Sequence, residues 1–386
     1  MSDTPSAANA SIQDLLEDMV HQGPELGLQV SAYLHGKQVI DAFAGIADEA
    51  SGRPVTGDTM FTVFSTSKGV ATTCVHLLAE RGQLDYDDPI AKYWPEFGAH
   101  GKDKATIRDA LTHKTGLPTT PPIPESHWDE MCAALAAAEP EWEPGTKTGY
   151  HGFTWGFIVG EVVRRIDRRG IGQFLQEEVC RPLGISSLYF GVPDSELGRV
   201  ATVKPLPPAP SPVAPVERSA SEVGARSPAD PAGRPRSQAD VDPFTNALKY
   251  NTREYRQAII PAGGGVMSAR GLARHYAMLA EGGTLDGVTV LSPERLRIAT
   301  TLQTADYDQT FGRPAKKALG WWIADGAMGS RETTFGHAGL GGSIGFADGS
   351  RHFAFALTKN VIGNGGPNAP AGVLVKAVEQ ALGLTG

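Results

Sequence analysis

Cysteine and clustered metal ligands are scarce in this sequence of 386 residues. The three cysteines, Cys74, Cys132 and Cys180, are far apart, odd in number and without the spacing of a metal site. We therefore expect buried free thiols in a reducing compartment rather than a disulfide framework. The ten histidines form no H-E-x-x-H or similar cluster. The sequence thus predicts neither a metal site nor a cofactor.

Long apolar runs and an excess of positive charge are also missing. No apolar stretch is long enough to span a bilayer. The net charge of −8 gives no electrostatic attraction to nucleic acid or to an anionic membrane. Residues Met1 to Ala10 are small and polar, without the basic start and apolar core of a signal peptide. We expect a cytoplasmic protein that binds a small molecule, and the sequence leaves a homo-oligomer open.

The overall composition, 41% hydrophobic and 20% charged residues, is typical of a globular protein. A chain of 386 residues exceeds one ordinary core, which favours two subdomains. Strand patterns lie near both ends of the chain, and helical patterns dominate the middle. We predict a discontinuous α/β domain, residues 1–75 and 261–386, that holds a mainly helical domain, residues 76–260.

Local signals predict several element boundaries. Ser11 is expected to cap an amphipathic helix that ends at Gln22. A hairpin of two strands should follow at 28–34 and 38–44, and a third strand should run through 60–63. Later strands and a closing helix are predicted at 319–323, 343–347, 352–359 and 371–382.

Residues 204–243 differ in composition from the rest of the chain. Proline, alanine, serine and charged residues replace large apolar ones there. Such a stretch buries little surface, which is typical of a surface loop or flexible insertion. A lid over an active site is the functional alternative, because long loops in compact enzymes are often functional.

The stretch from Phe61 to Gly69 carries the strongest chemical signal. An apolar run there ends at Ser65, and Lys68 follows three positions later at the start of a long helical pattern. Side chains at i and i+3 are neighbours on a helix, so a buried lysine could act as the base for a serine nucleophile. This arrangement is the S-x-x-K motif. The structural alternative is a helix N-cap followed by a solvated lysine.

Two later segments are candidate companions of this pair. Tyr150 lies in Lys147-Thr148-Gly149-Tyr150-His151-Gly152 and could act as general acid or base if a nearby cation lowered its pKa. His337-Ala338-Gly339-Leu340 precedes a late strand, where the amide of Leu340 could complete an oxyanion hole with that of Ser65. His337, Gly339 and His151 are the predicted substrate-binding residues. An isolated tyrosine or histidine more commonly packs or lies at the surface.

A competing motif occurs at Gly341-Gly342-Ser343-Ile344-Gly345, which matches G-x-S-x-G. The nucleophile elbow that this pattern describes requires a strand, a sharp turn and then a helix. The residues after Ser343 have a strand pattern instead. We therefore predict Ser65, not Ser343, as the nucleophile.

In order and spacing, these motifs resemble the class C β-lactamase-like serine hydrolases, with family VIII carboxylesterases, the penicillin-binding-protein-like esterases, as the nearest group. The resemblance covers nearly the whole chain. It includes, besides Ser65-Thr66-Ser67-Lys68, the segments Gly82-Gln83-Leu84-Asp85, Leu111-Thr112-His113-Lys114-Thr115-Gly116-Leu117-Pro118, Pro144-Gly145, Arg181-Pro182-Leu183-Gly184, Pro261-Ala262-Gly263-Gly264 and Gly336-His337-Ala338-Gly339.

The resemblance implies an α/β plus all-α fold of the β-lactamase/transpeptidase type, an antiparallel sheet flanked by helices with an inserted helical domain. It also implies catalysis by Ser65, Lys68 and Tyr150. Gly152 stands where the lactamase Y-x-N motif has asparagine, and His337 stands where K-T-G has lysine. The implied activity is therefore hydrolysis of carboxylic esters through an acyl-enzyme. An acyltransferase, a D-amino-acid peptidase and an inactive binding protein on the same fold remain as alternatives.

Overall fold

The computed structural model describes residues 6–205, 248–362 and 369–384 of the chain. In these ranges the α-helices are α1 (Ala7–Gln22), α2 (Thr66–Glu80), α3 (Ile90–Tyr93), α4 (Ile107–Leu111), α5 (Trp128–Ala137), α6 (Thr154–Asp167), α7 (Ile171–Leu175), α8 (Arg253–Gln257), α9 (Ala269–Ala280), α10 (Pro293–Thr300) and α11 (Pro370–Ala381). Shorter 3₁₀ and π turns are Pro95–Gly101, Gln176–Cys180, Asp194–Arg199, Lys249–Asn251, Gly326–Met328 and Leu340–Gly342.

The strands of the same ranges fall into one large sheet and several short pairings. They are β1 (Gly27–Leu34), β2 (Lys37–Asp48), β3 (Arg53–Pro54), β4 (Phe61–Thr62), β5 (Leu188–Tyr189), β6 (Lys204–Pro205), β7 (Val266–Met267), β8 (Thr284–Leu285), β9 (Val288–Thr289), β10 (Tyr307–Asp308), β11 (Arg313–Pro314), β12 (Trp322–Ile323), β13 (Thr334–Ala338), β14 (Ile344–Asp348), β15 (Phe353–Lys359) and β16 (Val361–Ile362).

A seven-stranded antiparallel sheet forms the centre of the fold, in the order β12-β13-β14-β15-β1-β2-β3. Strands from both ends of the chain share it, because β1 pairs with β2 on one side and with β15 on the other. In this register Val30 lies opposite Ala42 and opposite Leu357. The antiparallel sheet predicted from the sequence is therefore present.

The two faces of the sheet differ in side-chain size, which is clearest along β15. Phe353, Phe355 and Leu357 point to one face and pack with residues of α1 and α11. Ala354 and Ala356 point to the other face, toward the cluster that contains α9 and α2. Successive side chains of a strand alternate between faces, and the small alanines let a helix lie close to the sheet. Helix α9 packs against β15 and β14 on this face, and α2, which begins after Ser65, contacts β13 and β14.

Most boundaries near the N-terminus match the sequence patterns, with two corrections. The β1–β2 hairpin turns at His35 and Gly36, both with positive φ, as its turn residues indicate. Helix α1 starts a turn earlier than predicted, because Ser6 rather than Ser11 caps it by accepting a hydrogen bond from the Asn9 amide at 3.1 Å. The predicted strand through 60–63 shortens to β4.

Strand β4 belongs to a separate three-stranded sheet, in the order β4-β7-β5. Its residue Phe61 pairs with Met267, and Leu188 of β5 pairs with the same residue from the other side. This small sheet carries the chain directly to Ser65. The predicted division into domains 1–75 with 261–386 and 76–260 stays a prediction, since β5 joins the middle of the chain to β7.

The first two residues of the predicted insertion 204–243 are ordered as β6, which pairs in parallel with β16. The remainder of that insertion lies outside the described residues. Cys74, Cys132 and Cys180 are buried free thiols, as the sequence predicts. In the three described ranges, no helix combines the length and apolar character that crossing a bilayer requires.

Candidate active site

Ser65 lies at a sharp change of backbone direction between β4 and α2. Phe64, which precedes it, has a φ of 49°, in the left-handed region that non-glycine residues seldom adopt. Two contacts hold the turn in place: the Val63 amide donates to the Gly265 carbonyl at 2.9 Å, and the Thr66 hydroxyl donates to the Ser343 carbonyl at 2.9 Å. Such strain persists only where the surroundings determine it, and it is frequent at functional sites.

Lys68 is buried beside this serine, with only 1% of its surface exposed. Its Nζ lies 3.3 Å from Ser65 Oγ and 2.8 Å from the Ala262 carbonyl oxygen. Burial lowers the pKa of Lys68 well below its usual value, which favours the neutral amine that a base requires. The alternative of a helix cap with a solvated lysine is therefore wrong, since the Ser65 side chain also makes no capping hydrogen bond.

Tyr150 completes a three-residue cluster around the Ser65 hydroxyl. Its phenol donates a hydrogen bond to Ser65 Oγ at 2.8 Å, and the Lys68 Nζ lies 4.7 Å from the centre of its ring. Burial raises the pKa of Tyr150, the hydrogen bond with Ser65 lowers it, and Asp308 raises it further. The condition set for Tyr150 in the sequence analysis, a pKa lowered by a nearby cation, is not met, because desolvation by burial is the largest influence on this pKa and raises it. Tyr150 therefore keeps its proton and is suited to act as an acid.

A buried ion pair behind Tyr150 was not predicted from the sequence. Lys317 Nζ lies 2.5 Å from Asp308 Oδ2 and donates to the Thr148 hydroxyl at 2.6 Å. The other carboxylate oxygen, Asp308 Oδ1, accepts the Tyr150 amide at 3.0 Å. Both charged side chains are almost fully buried. No local motif marks these residues, which tertiary contacts bring to the tyrosine.

The amides of Ser65 and Leu340 are available as an oxyanion hole. In the described ranges, neither of them donates to a backbone carbonyl. Gly339 brings the Leu340 segment close to the start of α2, because a Cβ at position 339 would lie 2.2 Å from the Val63 carbonyl oxygen and 3.2 Å from the Thr66 nitrogen. Only glycine fits there. The pairing of these two amides on one oxyanion stays a prediction.

His337 lies in β13 with both ring nitrogens used inside the protein. Nε2 accepts the indole N–H of Trp322 at 2.9 Å, so the proton is on Nδ1, which donates to the Ala338 carbonyl at 2.7 Å. Burial lowers the pKa of His337 to about 3, so the ring is neutral. This geometry does not favour the prediction that His337 binds substrate through a ring nitrogen. It packs instead beside Tyr150, with ring centres 6.1 Å apart.

His151 likewise has protein partners for both ring nitrogens, a geometry that does not favour its predicted role in substrate binding. Its Nε2 accepts the Leu117 amide at 3.0 Å and contacts the Thr115 hydroxyl at 2.9 Å, while Nδ1 donates to the Gly149 carbonyl at 2.5 Å. The side chain is 1% exposed. Sequence could not reveal these partners, which hold the loop of Tyr150 against the segment before Pro118.

Ser343 does not occupy a nucleophile elbow. It is buried, its carbonyl accepts hydrogen bonds from Thr66 and Gly339, and strand β14 rather than a helix follows it. The G-x-S-x-G match therefore lacks the strand–turn–helix context that the motif requires.

Comparison with known proteins agrees with this fold. The family model described as Beta-lactamase matches residues 12–378. The "Esterase/beta-lactamase LipL" of Mycobacterium tuberculosis (strain ATCC 25618 / H37Rv) is 34% identical over 341 residues, which cover 86% of this chain and 77% of that protein. The fold and the family match together define an enzyme of the serine hydrolase class.

Solved structures give the same result across the whole chain. A family VIII carboxylesterase superposes with a TM-score of 0.83 and 32% identity, covering 97% of this chain and 98% of that one. A penicillin-binding protein homologue from Caulobacter crescentus gives 0.81 and 32%, covering 98% and 99%. The chain belongs to the beta-lactamase family and has the β-lactamase/transpeptidase-like fold of the penicillin-binding-protein-like esterases.

Proposed function

We propose that the protein hydrolyses carboxylic esters through an acyl-enzyme on Ser65. The observation that carries the proposal is the contact of one hydroxyl, Ser65 Oγ, with a buried lysine of lowered pKa and a buried tyrosine that keeps its proton. A nucleophile, a base and an acid thus meet at one oxygen.

In the acylation step, the neutral amine of Lys68 takes the Ser65 proton as Oγ attacks the ester carbonyl. The amides of Ser65 and Leu340 donate to the oxyanion that forms. Tyr150 gives its proton to the departing alkoxide, and the proton that Lys68 holds replaces it. Water then attacks the acyl-enzyme with the same groups acting in reverse, which releases the acid and restores Ser65.

The surroundings of Ser65 favour an apolar ester over a β-lactam. Phe64 packs edge-on against Tyr250, with ring centres 5.0 Å apart, and belongs to a mainly apolar cluster. The neutral ring of His337 stands in place of a lysine that would bind a carboxylate. Gly152 stands where Y-x-N has asparagine, so the amide group of that motif is missing. A Cβ at position 152 would meet no atom within 4 Å, so no neighbouring side chain takes its place. The similar family VIII carboxylesterase supports the ester class, and the name of LipL includes both esterase and beta-lactamase.

Fluorophosphonate labelling with peptide mapping tests the nucleophile, and turnover of short-chain p-nitrophenyl esters tests the reaction. We expect the adduct on Ser65, with no label and no turnover in Ser65→Ala. Ser343→Ala is the matched control and should label at Ser65 like the wild type. An adduct on Ser343, or no ester turnover by folded wild-type protein, would contradict the proposal.

A further inference from the structure

The hairpin Tyr307–Pro314 contacts Tyr150 on three sides. Asp308 Oδ1 accepts the Tyr150 amide at 3.0 Å, and the Thr310 hydroxyl donates to the Tyr150 carbonyl at 3.1 Å. The ring of Phe311 lies on the phenol ring, with centres 4.8 Å apart. One short hairpin, formed by β10 and β11, thus contacts the amide, the carbonyl and the ring of a single residue.

A buried ion pair ties this hairpin to the loop of Tyr150. Lys317 bonds both Asp308 and the hydroxyl of Thr148, two residues before the tyrosine. The backbone continues the connection, because the Gln309 amide donates to the Thr148 carbonyl at 2.9 Å. Asp308 Oδ1 also accepts the amides of Thr310 and Phe311, both at 2.9 Å, so the same carboxylate shapes the hairpin.

Stability alone does not account for such a pair. The free energy of removing two charges from water offsets much of the attraction between them. Apolar residues of similar volume therefore often give a fold of equal stability. Directional hydrogen bonds from a carboxylate, in contrast, hold several backbone groups in a single arrangement. The geometry therefore indicates orientation of Tyr150 as the role of the pair.

We propose that the Tyr307–Pro314 hairpin, locked by Asp308 and Lys317, is a positioning element that holds the Tyr150 phenol where it can protonate the leaving alcohol. The inference rests on the proposed function, in which Tyr150 is the acid. Asp308, Thr310 and Lys317 are positioning residues, since each acts through Tyr150.

The leaving group supplies a test that a general loss of stability does not mimic. An alkyl ester releases a weakly acidic alcohol, which needs a proton as its bond breaks. A p-nitrophenyl ester of the same acid releases a stable phenolate and needs little help. Misplacing Tyr150 should therefore slow the alkyl ester more than the aryl ester, whereas partial unfolding slows both by the same factor.

The experiment measures kcat and KM for a p-nitrophenyl ester and an ethyl ester of the same acid. Asp308→Asn keeps an oxygen for the three backbone amides and removes the charge that pairs with Lys317. We expect the ratio of aryl to alkyl kcat to rise by about tenfold or more. Thr310→Val, at an exposed position, should raise the ratio less. Because Thr310 is exposed, this variant is expected to fold even if Asp308→Asn does not, and it then provides the test.

Asp348→Asn is the matched control. Asp348 is also a buried aspartate with one oxygen on a backbone amide, that of Ser350, and the other on a cation, Arg351. Asp348 is the last residue of β14. It lies four residues, roughly 13 Å, from Ile344, the residue at which the strand begins beside the site. It should lower Tm and leave the ratio unchanged.

Each outcome has a distinct reading. A wild type without turnover, or an active Ser65→Ala, defeats the proposed function itself. An unchanged ratio in folded Asp308→Asn and Thr310→Val, or an equal rise in Asp348→Asn, overturns the positioning role while the proposed function stands.

Discussion

Two lysines near the active site, Lys68 and Lys317, have the same burial and opposite partners. Each is about 1% exposed. The Nζ of Lys68 contacts the Ser65 hydroxyl and the Ala262 carbonyl, both uncharged, whereas that of Lys317 contacts the Asp308 carboxylate. Burial lowers the pKa of both, but for Lys317 the attraction of Asp308 opposes the shift. The partner therefore decides whether a buried lysine is a base or a fixed cation.

The difference in partners also predicts different effects of the two lysines on stability. Burial of an amine without a counter-charge favours loss of its proton, so its lowered pKa costs free energy of folding at a pH below the unfolded pKa. A buried cation with its carboxylate keeps its proton, and removal of either partner leaves an uncompensated charge. The same substitution at the two positions should therefore have opposite effects on the free energy of unfolding.

Lys68→Met should have the largest effect on activity. We expect kcat/KM for p-nitrophenyl esters to fall by about 10²–10⁴-fold, because the base is gone. The free energy of unfolding should rise near neutral pH, since methionine fills the site without a proton to lose. Stopped-flow or steady-state rates and denaturant unfolding measure the two quantities.

A pH series sharpens the same comparison. The folded pKa of Lys68 lies below the unfolded one, so between the two values the unfolded chain binds more protons and wild-type stability rises with pH. The stability advantage of Lys68→Met should therefore shrink as pH approaches 10.5. A lower stability of this variant at neutral pH would contradict the comparison.

Lys317→Met should have the opposite effect on stability. We expect a loss of about 3–5 kcal/mol in the free energy of unfolding, because Asp308 is left charged and buried. The double variant Asp308→Asn with Lys317→Met should recover most of that loss. Urea unfolding of the three proteins checks this. A Lys317→Met protein as stable as the wild type would show that the pair has no net role in the fold.

The effect of pH on kcat/KM should be smaller than the effect of Lys68→Met. It should appear on the acid side only. Lys68 acts as a base, so kcat/KM should fall by about tenfold for each pH unit below its lowered pKa. Among the groups around it, the pKa of His337 is lowered to about 3 and that of His113 is also lowered, so both rings stay neutral above the acid range. Tyr150, with its raised pKa, keeps its proton well into the alkaline range.

The predicted profile is therefore a plateau above the lowered pKa of Lys68, with a single acid limb below that pKa. Rates for a p-nitrophenyl ester, corrected for spontaneous hydrolysis, measure it. A Tm series over the same range is the control for acid unfolding. Activity that still climbs through pH 10 would mean that Lys68 is protonated at neutral pH, which contradicts the comparison of the two lysines.

The part of the site that could be predicted from the sequence is the part that is local in the chain. Ser65 and Lys68 are three residues apart on one helix, so their spacing alone places them together. Tyr150 was predicted from its place in the order of motifs along the chain. Asp308 and Lys317 reach Tyr150 and Thr148 across 158 and 169 residues, and no period or motif marks such a contact.

Partners supplied by the tertiary structure also explain why the geometry does not favour His337 and His151 as substrate-binding residues. His337 and His151 look available in the sequence because nothing near them in the chain uses their nitrogens. The fold brings Trp322 to one and the Leu117 amide to the other. For the fold itself, strand alternation and helical stripes are local signals, so the β1–β2 hairpin and α2 follow from the sequence. The pairing of β5 with β7 does not.

A third buried lysine, Lys102, gives the smallest expected effect on activity and tests whether burial alone matters. It is fully buried, and its Nζ donates to the carbonyls of Ala99 at 2.8 Å and Ala136 at 3.2 Å, and also to that of Ala138, which follows α5. Lys102→Met should cost about 1–3 kcal/mol of unfolding free energy, since three carbonyls lose their donor, whereas Lys68→Met removes the donor of only one carbonyl, that of Ala262. Ester turnover should not change, because Lys102 touches none of Ser65, Lys68 and Tyr150. A large loss of kcat in the folded Lys102→Met variant would mean that replacing any buried lysine lowers activity. The loss of activity in Lys68→Met would then not identify Lys68 as the base.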